Sequence, residues 1–141
     1  MDNGFQSVQR LKVWRKSMDL VETSYKLSAR LPMDERFGLI SQIRRAATSI
    51  PANIAEGFGR WNARDFARFS AIASGSLREL ETHLMIVQRL GYLDRVAVEA
   101  ALHAADDLSK MLYRMRRRVL ANIAASEQKQ QFQSRTTSKA V

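Results

Sequence analysis

Apolar residues recur every three or four positions along four stretches of the chain, which is the spacing of helices with one buried face. The stretch 36–57 is the most informative, because it carries two different stripes at roughly 100° per residue. The apolar stripe consists of Ile40, Ile43, Ala47, Ile50, Ile54 and Phe58. The polar stripe consists of Gln42, Arg45, Ser49, Asn53 and Glu56. A solvated face is normally varied and rich in Lys and Glu, so this short ordered set predicts a contact surface.

Four long helices follow from the same spacing. Their predicted ranges are 10–31, 34–58, 62–90 and 94–125. The expected N-caps of the last three are Asp34, Asn62 and Asp94. Pro51 lies inside the second helix, but the apolar stripe keeps its phase across this residue, so we predict one continuous helix with a kink.

Two helices carry more apolar surface than a single bundle requires. The first stripe of helix 1 consists of Leu11, Trp14, Met18, Val21 and Tyr25. A neighbouring second stripe consists of Val13, Leu20, Leu27 and Leu31. Helix 3 has a flank with a polar centre, formed by Ile72, Ser76, Glu79, His83, Ile86 and Leu90. Because one stripe per helix is enough for a bundle, we predict that the second stripe of helix 1 and this flank contact other subunits.

The predicted architecture is all-α, an antiparallel up-down-up-down four-helix bundle over residues 10–125. Residues 1–9 are expected to form a flexible leader, and the polar residues 126–141 a disordered tail. The chain has 141 residues, enough for one domain with a sizeable core. It has only six glycines and two prolines, which favours a few long elements over many short ones.

Composition also bears on the compartment. The absence of cysteine excludes disulfides and thiol nucleophiles and fits a reducing cytoplasm. The first residues, MDNGFQSVQR, lack the apolar core of a secretory signal. No apolar run approaches the length of about 18 residues that marks a membrane span. We therefore expect a cytoplasmic protein that does not bind membranes.

The net charge of +9 favours a polyanionic partner. The residues predicted to contact nucleic acid are Arg60, Arg64, Arg68, Lys110, Arg114, Arg117 and Arg118. A further cluster at the start of helix 1 consists of Arg10, Lys12, Arg15 and Lys16. A charged solvated face is the alternative interpretation. Any binding is expected to be phosphate-driven and weakly sequence-specific, without base stacking.

The polar stripe is a second candidate site. Its predicted members are Arg45, Ser49, Asn53 and Glu56, joined by Glu79 of helix 3. Glu79 is expected to pair with Arg45 or Arg44, and such a pair sets register more than it adds stability. We favour a structural or assembly role for this stripe, with direct ligand contact as the alternative.

No catalytic residue, metal ligand or cofactor site is predicted. Glu79 and His83 are four positions apart, whereas the di-iron motif is Glu-x-x-His, and no second copy exists. The two histidines lie on different helices, and the chain has no Gly-rich phosphate loop. The sequence therefore predicts a protein that is not an enzyme.

Three segments resemble one protein family. They are VWRKSMDLVETSYKLSARLP, RFGLISQIRRAATSIPANIAEG and IASGSLRELETHLMIVQRLGYL. Over about residues 11–120, the chain resembles the bacterial four-helix bundle proteins of the 23S rRNA intervening-sequence type, also labelled S23. The family includes the accessory variability determinant protein of diversity-generating retroelements, which forms a pentameric ring and engages nucleic acid and a reverse transcriptase.

The resemblance implies a bundle, a homopentameric ring and a link to RNA or DNA, with a reverse transcriptase as a candidate protein partner. The predicted function is a non-enzymatic, nucleic-acid-associated adaptor with a basic surface. The alternative is a protein-only oligomeric scaffold that docks an acidic protein.

Overall fold

The computed structural model describes residues 7–139 and has four long α-helices in that range. They are α1 Lys12–Ser28, α2 Leu39–Gly59, α3 Ala63–Arg89 and α4 Arg95–Lys139, and a short 3-10 helix, Met33–Glu35, precedes α2. The described residues contain no β-strand. The predicted all-α fold with four helices is confirmed.

Each helix packs against two others, because α1 contacts α2 and α4, and α3 contacts α2 and α4. The core between them is aliphatic, and its largest fully buried side chains are Ile43, Ile50, Ile54, Leu77, Leu80, Leu84, Leu108 and Leu112. Contacts join the end of one helix to the start of the next, as between Ser28 and Arg44. This pattern supports the antiparallel order. That order and the ring both stay predictions.

The second apolar stripe of α1, which was predicted to contact other subunits, lies in the core instead. Val13, Leu20 and Leu27 of the second stripe are at most 7% exposed and belong to the core. Met18 and Tyr25 of the first stripe are 38% and 41% exposed. Leu11, Trp14 and Val21 of the first stripe are partly buried and pack against the core. The surplus apolar surface of α1 is therefore only Met18 and Tyr25, because inward orientation is set by the neighbouring helices and not by the spacing itself.

The predicted caps of α3 and α4 are confirmed, but that of α2 is wrong. Asn62 Oδ1 accepts hydrogen bonds from Arg64 N at 2.9 Å and Asp65 N at 3.2 Å. Asp94 Oδ1 accepts from Ala97 N at 2.8 Å. The helix expected to start at Asp34 begins only at Leu39.

Glu35 anchors the start of α2 in place of Asp34. Its Oε2 atom accepts a hydrogen bond from Leu39 N at 3.0 Å, and its Oε1 atom accepts one from Tyr92 Oη at 3.0 Å. The hydrogen bond to this carboxylate raises the pKa of Tyr92. One side chain thus joins the start of α2 to the connection between α3 and α4.

α2 runs without interruption through Pro51, which is buried. This confirms one continuous helix rather than two. Proline has no N–H to donate to Ala47, so a bend is expected at this point. The kink itself stays a prediction.

Both chain ends differ from the predicted loose segments where the structure describes them. Val8 is only 2% exposed, so the predicted leader is packed from this residue onward, and residues 1–6 lie outside the described range. Helix α4 continues over 126–139, where a disordered tail was predicted. The polar composition there correctly indicated exposure, but no glycine or proline interrupts 95–139 to end the helix.

α2 and α3 approach each other closely at Gly57. A Cβ atom on Gly57 would lie 2.7 Å from Phe69 Cβ and 3.3 Å from Phe66 Cα. Both atoms are fixed in α3 and cannot rotate away. The missing side chain is therefore a requirement of this contact.

We predict that Gly57→Ala lowers the free energy of unfolding by about 1–3 kcal/mol, because the added methyl group pushes the two helices apart. Gly75→Ala is the matched control, since a Cβ there meets no atom within 4 Å. The control should stabilise the helix by about 0.5–1 kcal/mol. Urea unfolding followed by circular dichroism measures both, and equal effects of the two variants would contradict the prediction.

Candidate nucleic-acid interface

Two basic clusters that are far apart in the sequence share one groove. Lys12 and Lys16 of α1 and Arg114 of α4 line a groove of about 390 Å³, together with Asp19 and Asp107. The first turns of α1 therefore lie beside the middle of α4. The sequence predicted both clusters but not their proximity.

The third cluster, at the start of α3, is joined to the same part of α4. Arg116 Nε donates a hydrogen bond to the carbonyl oxygen of Ala67 at 3.2 Å. Arg64 forms an ion pair with Glu127. The start of α1, the connection between α2 and α3, and the middle of α4 consequently meet at one end of the bundle.

We call this region the basic end and define it as residues 10–16, 56–68 and 114–127. It has eleven basic side chains, which are Arg10, Lys12, Arg15, Lys16, Arg60, Arg64, Arg68, Arg114, Arg116, Arg117 and Arg118. It has three acidic side chains, which are Glu56, Asp65 and Glu127. The intervening residues 17–55 and 69–113 have nine basic and ten acidic side chains. Nearly all of the net charge of +9 is therefore concentrated at the basic end.

Several of the predicted phosphate-contacting residues have acidic partners. Arg60 lies 3.0 Å from Glu56, and Arg68 lies 3.9 Å from Asp65. These partners are exposed, so each pair contributes only about 0–1 kcal/mol and can be exchanged for a phosphate. More of the basic side chains therefore have an acidic partner than the sequence suggested.

Lys110 lies outside the basic end and is held by Asp106 at 2.9 Å. This contact lowers the pKa of Asp106 and raises the pKa of Lys110. Arg114 Nε donates to the carbonyl oxygen of Lys110 at 3.3 Å. Arg117 and Arg118 are exposed and form no ion pair with any residue in 7–139, which makes them the most available cations of the predicted set.

Aromatic side chains accompany the arginines of the basic end. The guanidinium carbons of Arg60 and Arg68 lie 5.4 Å and 4.7 Å from the ring centroid of Phe69. Trp61 is 77% exposed beside Arg60. Binding without base stacking was predicted on the ground that no aromatic residue interleaves with the arginines. That ground is wrong, because Trp61 lies between Arg60 and Arg64 in the chain.

Part of the predicted polar stripe holds α2 and α3 together. Ser49 Oγ and Ser76 Oγ are 2.8 Å apart across the two helices. Asn53 Nδ2 donates to the carbonyl oxygen and to Oγ of Ser49, at 2.8 Å and 2.9 Å. The contact between Ser49 and Ser76 supports a structural role for Ser49, whereas the hydrogen bonds of Asn53 stay within α2. The role of the stripe stays a prediction.

The charged members of the stripe do not form the predicted pair. Arg45 and Glu79 line the same groove of about 450 Å³, but Glu79 contacts His83 Nε2 at 3.4 Å. Glu56 pairs with Arg60 instead of with another helix. Arg44, the alternative partner of Glu79, donates to Ser28 Oγ at 2.9 Å. The groove beside Arg45 and Glu79 is left open in the single chain.

A buried charge that the sequence analysis missed joins α3 to α4. The side chain of Glu81 is 9% exposed, and Arg78 Nη1 donates to Glu81 Oε2 at 2.7 Å. Arg78 Nη2 also donates to Ser109 Oγ of α4 at 3.0 Å. The helical spacing of Arg78 and Glu81 could have indicated the pair, but not the burial of Glu81.

Comparisons with known proteins agree with this fold. A family model described as 23S rRNA-intervening sequence protein matches residues 9–114. The chain is also similar to a crystal structure of a protein of unknown function from the S23 ribosomal protein family of Bacteroides thetaiotaomicron, with a TM-score of 0.68 and 28% identity. That match covers 73% of this chain and 96% of the other. The curated proteins contain no match. None of the described helices is long and apolar enough to cross a membrane.

We predict that Ser49→Ala lowers the free energy of unfolding by about 1 kcal/mol, because Ser76 and Asn53 each lose a hydrogen-bond partner. Thr48→Ala is the control, since Thr48 Oγ1 bonds only to carbonyl oxygens of its own helix. The control should change stability by less than about 0.5 kcal/mol. Chemical denaturation of the two variants side by side measures the difference, and indistinguishable midpoints would refute the structural role.

Proposed function

This chain belongs to the 23S rRNA-intervening sequence protein family, and we propose that it is a non-enzymatic adaptor that binds RNA or DNA through its basic end. The observation that carries the proposal is the concentration of positive charge in residues 10–16, 56–68 and 114–127. Charge spread evenly over a surface serves solubility, whereas charge gathered at one end attracts a polyanion. The proposed location is the cytoplasm.

The proposed mechanism is the release of counterions from the nucleic acid. Each phosphate that the protein neutralises contributes about −0.9 to the slope of log affinity against log salt for duplex DNA, and about −0.7 for single strands. Arg117 and Arg118 are exposed and unpaired within the described chain, so they can bind phosphate without first breaking an ion pair. Arg60, Arg64 and Arg68 require only the exchange of weak exposed pairs.

We further propose that the chain forms a homo-oligomeric ring, and the pentamer is the stoichiometry that the family resemblance implies. Support comes from apolar surface that the single chain leaves uncovered, on α1 at Met18 and Tyr25 and on α3 at Ile72 and Leu90. A ring would repeat the basic end around its axis, so the potentials of the subunits would add. The open groove beside Arg45 and Glu79 fits an assembly contact.

The protein-only scaffold, in which the basic end docks an acidic protein, is the second candidate. A reverse transcriptase is a proposed protein partner under either function. Nucleic-acid binding separates the two candidates, because a scaffold for acidic proteins need not bind structured RNA or duplex DNA more tightly than about 10⁻⁴ M, the weak end of non-specific affinity.

We predict that reversing the charges of Arg114, Arg117 and Arg118 to Glu weakens binding to all nucleic acids alike and flattens the salt slope. The matched control reverses Arg36, Arg89 and Arg95, which are exposed residues outside the basic end. Both variants have the same net charge, so a difference between them reports the location of the charge. Fluorescence anisotropy with structured RNA, duplex DNA and single strands, from low to physiological salt, measures the affinities.

Equal losses in the two variants would contradict a site at the basic end, because only total charge would then matter. No binding of the unmodified protein tighter than about 10⁻⁴ M to any probe would remove nucleic acid from the proposal. The scaffold for an acidic protein would then be the better explanation.

We predict an oligomer of about five subunits by light scattering after size exclusion, as the proposed ring requires. Glu79→Ala should split this oligomer while the melting temperature of the protomer stays nearly constant, because the Glu79 side chain is 53% exposed. Glu99→Ala is the control, since Glu99 has a similar exposure of 48% on α4. A monomer at micromolar concentration would exclude the ring, and a dimer would exclude the stoichiometry.

A further inference from the structure

Trp61 occupies an unusual position for a large aromatic residue. It is 77% exposed in the connection between α2 and α3. Its φ angle is 55°, and no other non-glycine residue in the described range has a positive φ. A bulky side chain in this left-handed region is disfavoured, because its Cβ atom crowds the backbone.

The fold explains the backbone angle but not the side chain. α2 ends at Gly59 with Arg60 as its C-cap, and α3 begins after the cap residue Asn62. The position directly after a C-cap commonly turns left-handed to end the helix, and glycine is the residue that normally fills it. Tryptophan at this position is therefore unfavourable for the turn and, being exposed, gains little from burial.

The ring is supported on one side and open to solvent otherwise. Its centroid lies 6.3 Å from that of Phe58 with the two rings tilted by 43°. Phe58 in turn meets the edge of Phe66 at 6.0 Å. Phe58 and Phe66 therefore support one side of the indole ring. Most of the indole surface is free to contact another molecule.

The side chains around Trp61 are of the types that bind the phosphate and the base of a nucleotide. Arg60 and Arg64 flank it in the chain, and their acidic partners Glu56 and Glu127 are themselves about half exposed. Arginine binds phosphate through paired N–H groups, and an exposed indole stacks on any unpaired base. A base on Trp61 with its phosphate on Arg60 or Arg64 would use both kinds of side chain at once.

A membrane surface fits this site less well than a base does. Binding to a lipid surface requires a continuous apolar face that enters the boundary of the acyl chains. Trp61 is followed by Asn62, Ala63 and Arg64, which provide no such face. A single exposed ring among guanidinium groups is instead the arrangement found in proteins that bind single strands.

We propose that Trp61 is a stacking platform for an unpaired nucleobase, so that the basic end prefers single-stranded or looped nucleic acid over a duplex. This inference rests on the proposed function, because it requires that the basic end binds nucleic acid. The stacking of a base on Trp61 would add to the phosphate contacts that the arginines make. In a duplex the bases are stacked on each other, so no base face is free to stack on Trp61.

The test compares two probes, an unstructured oligothymidylate strand and a DNA duplex of equal length, by fluorescence anisotropy with the full chain. Trp61→Ala should weaken single-strand binding about 5- to 150-fold, the range that removal of one stacking partner gives. Duplex affinity and its salt slope should not change. Phe37→Ala, which removes an exposed aromatic ring outside the basic end, should leave both affinities at their original values.

Trp61→Gly separates stacking from any structural role of the ring. Glycine suits the left-handed backbone, so this variant should melt at the same temperature as the unmodified protein or higher. It should nevertheless lose single-strand affinity as much as Trp61→Ala does. Trp61→Phe should retain part of the affinity, because phenylalanine also stacks.

Five results would overturn the platform. Unchanged single-strand affinity in Trp61→Gly would show that the ring does not contact bases. Equal losses on the strand and the duplex would show that the ring acts on phosphate binding alone. Dissociation of an oligomer in Trp61→Gly would assign the ring to a contact between subunits. If the unmodified protein binds the duplex but shows no preference for the strand, the platform fails while the proposed function stands. Binding to neither probe removes the platform as well, and the structured RNA probe then decides whether the proposed function stands.

Discussion

The close approach of α2 and α3 at Gly57 is the contact on which the basic end depends. With no side chain on Gly57, the Cβ atom of Phe69 can lie directly against α2. Phe66 is positioned by the same contact, and it supports Phe58, which supports Trp61. The guanidinium groups of Arg60 and Arg68 lie over Phe69 as well. Widening this contact by one methyl group would therefore shift the aromatic and the cationic side chains together.

Local features of the fold could be predicted because they depend on a few neighbouring residues. The helix spacing, the caps at Asn62 and Asp94 and the continuity of α2 through Pro51 are all of this kind. The start of α2 was missed because Glu35 caps the amide of Leu39 from four residues away and also accepts from Tyr92, a residue distant in sequence. The end of α4 was missed because polar composition indicates exposure, and nothing in 95–139 is a glycine or proline that would end the helix.

The candidate site could be predicted only in pieces, because its properties arise from tertiary packing. The sequence identified the basic clusters near Arg10, Arg60 and Arg114, but only the fold brings them to one end. It likewise identified two stripes on α1 without showing that Leu20 faces the core and Tyr25 does not. The pairing of Glu79 with Arg45 failed for the same reason, since the helical neighbour His83 lies closer than the groove partner.

Under the proposed function, the acidic residues of the basic end would make nucleic-acid binding more selective instead of abolishing it. Glu56, Asp65 and Glu127 hold their arginines in exposed pairs that contribute about 0–1 kcal/mol each. An isolated phosphate or carboxylate gains little by displacing one of them, because it only replaces one weak pair with another. A nucleic acid presents many phosphates on one chain, so displacement at one arginine is helped by the phosphates already bound elsewhere and by released counterions. An unpaired base on Trp61 would add a contact that no acidic side chain of the protein can imitate. Under the proposed function, this combination would discriminate against small anions and in favour of a flexible polyanion with exposed rings.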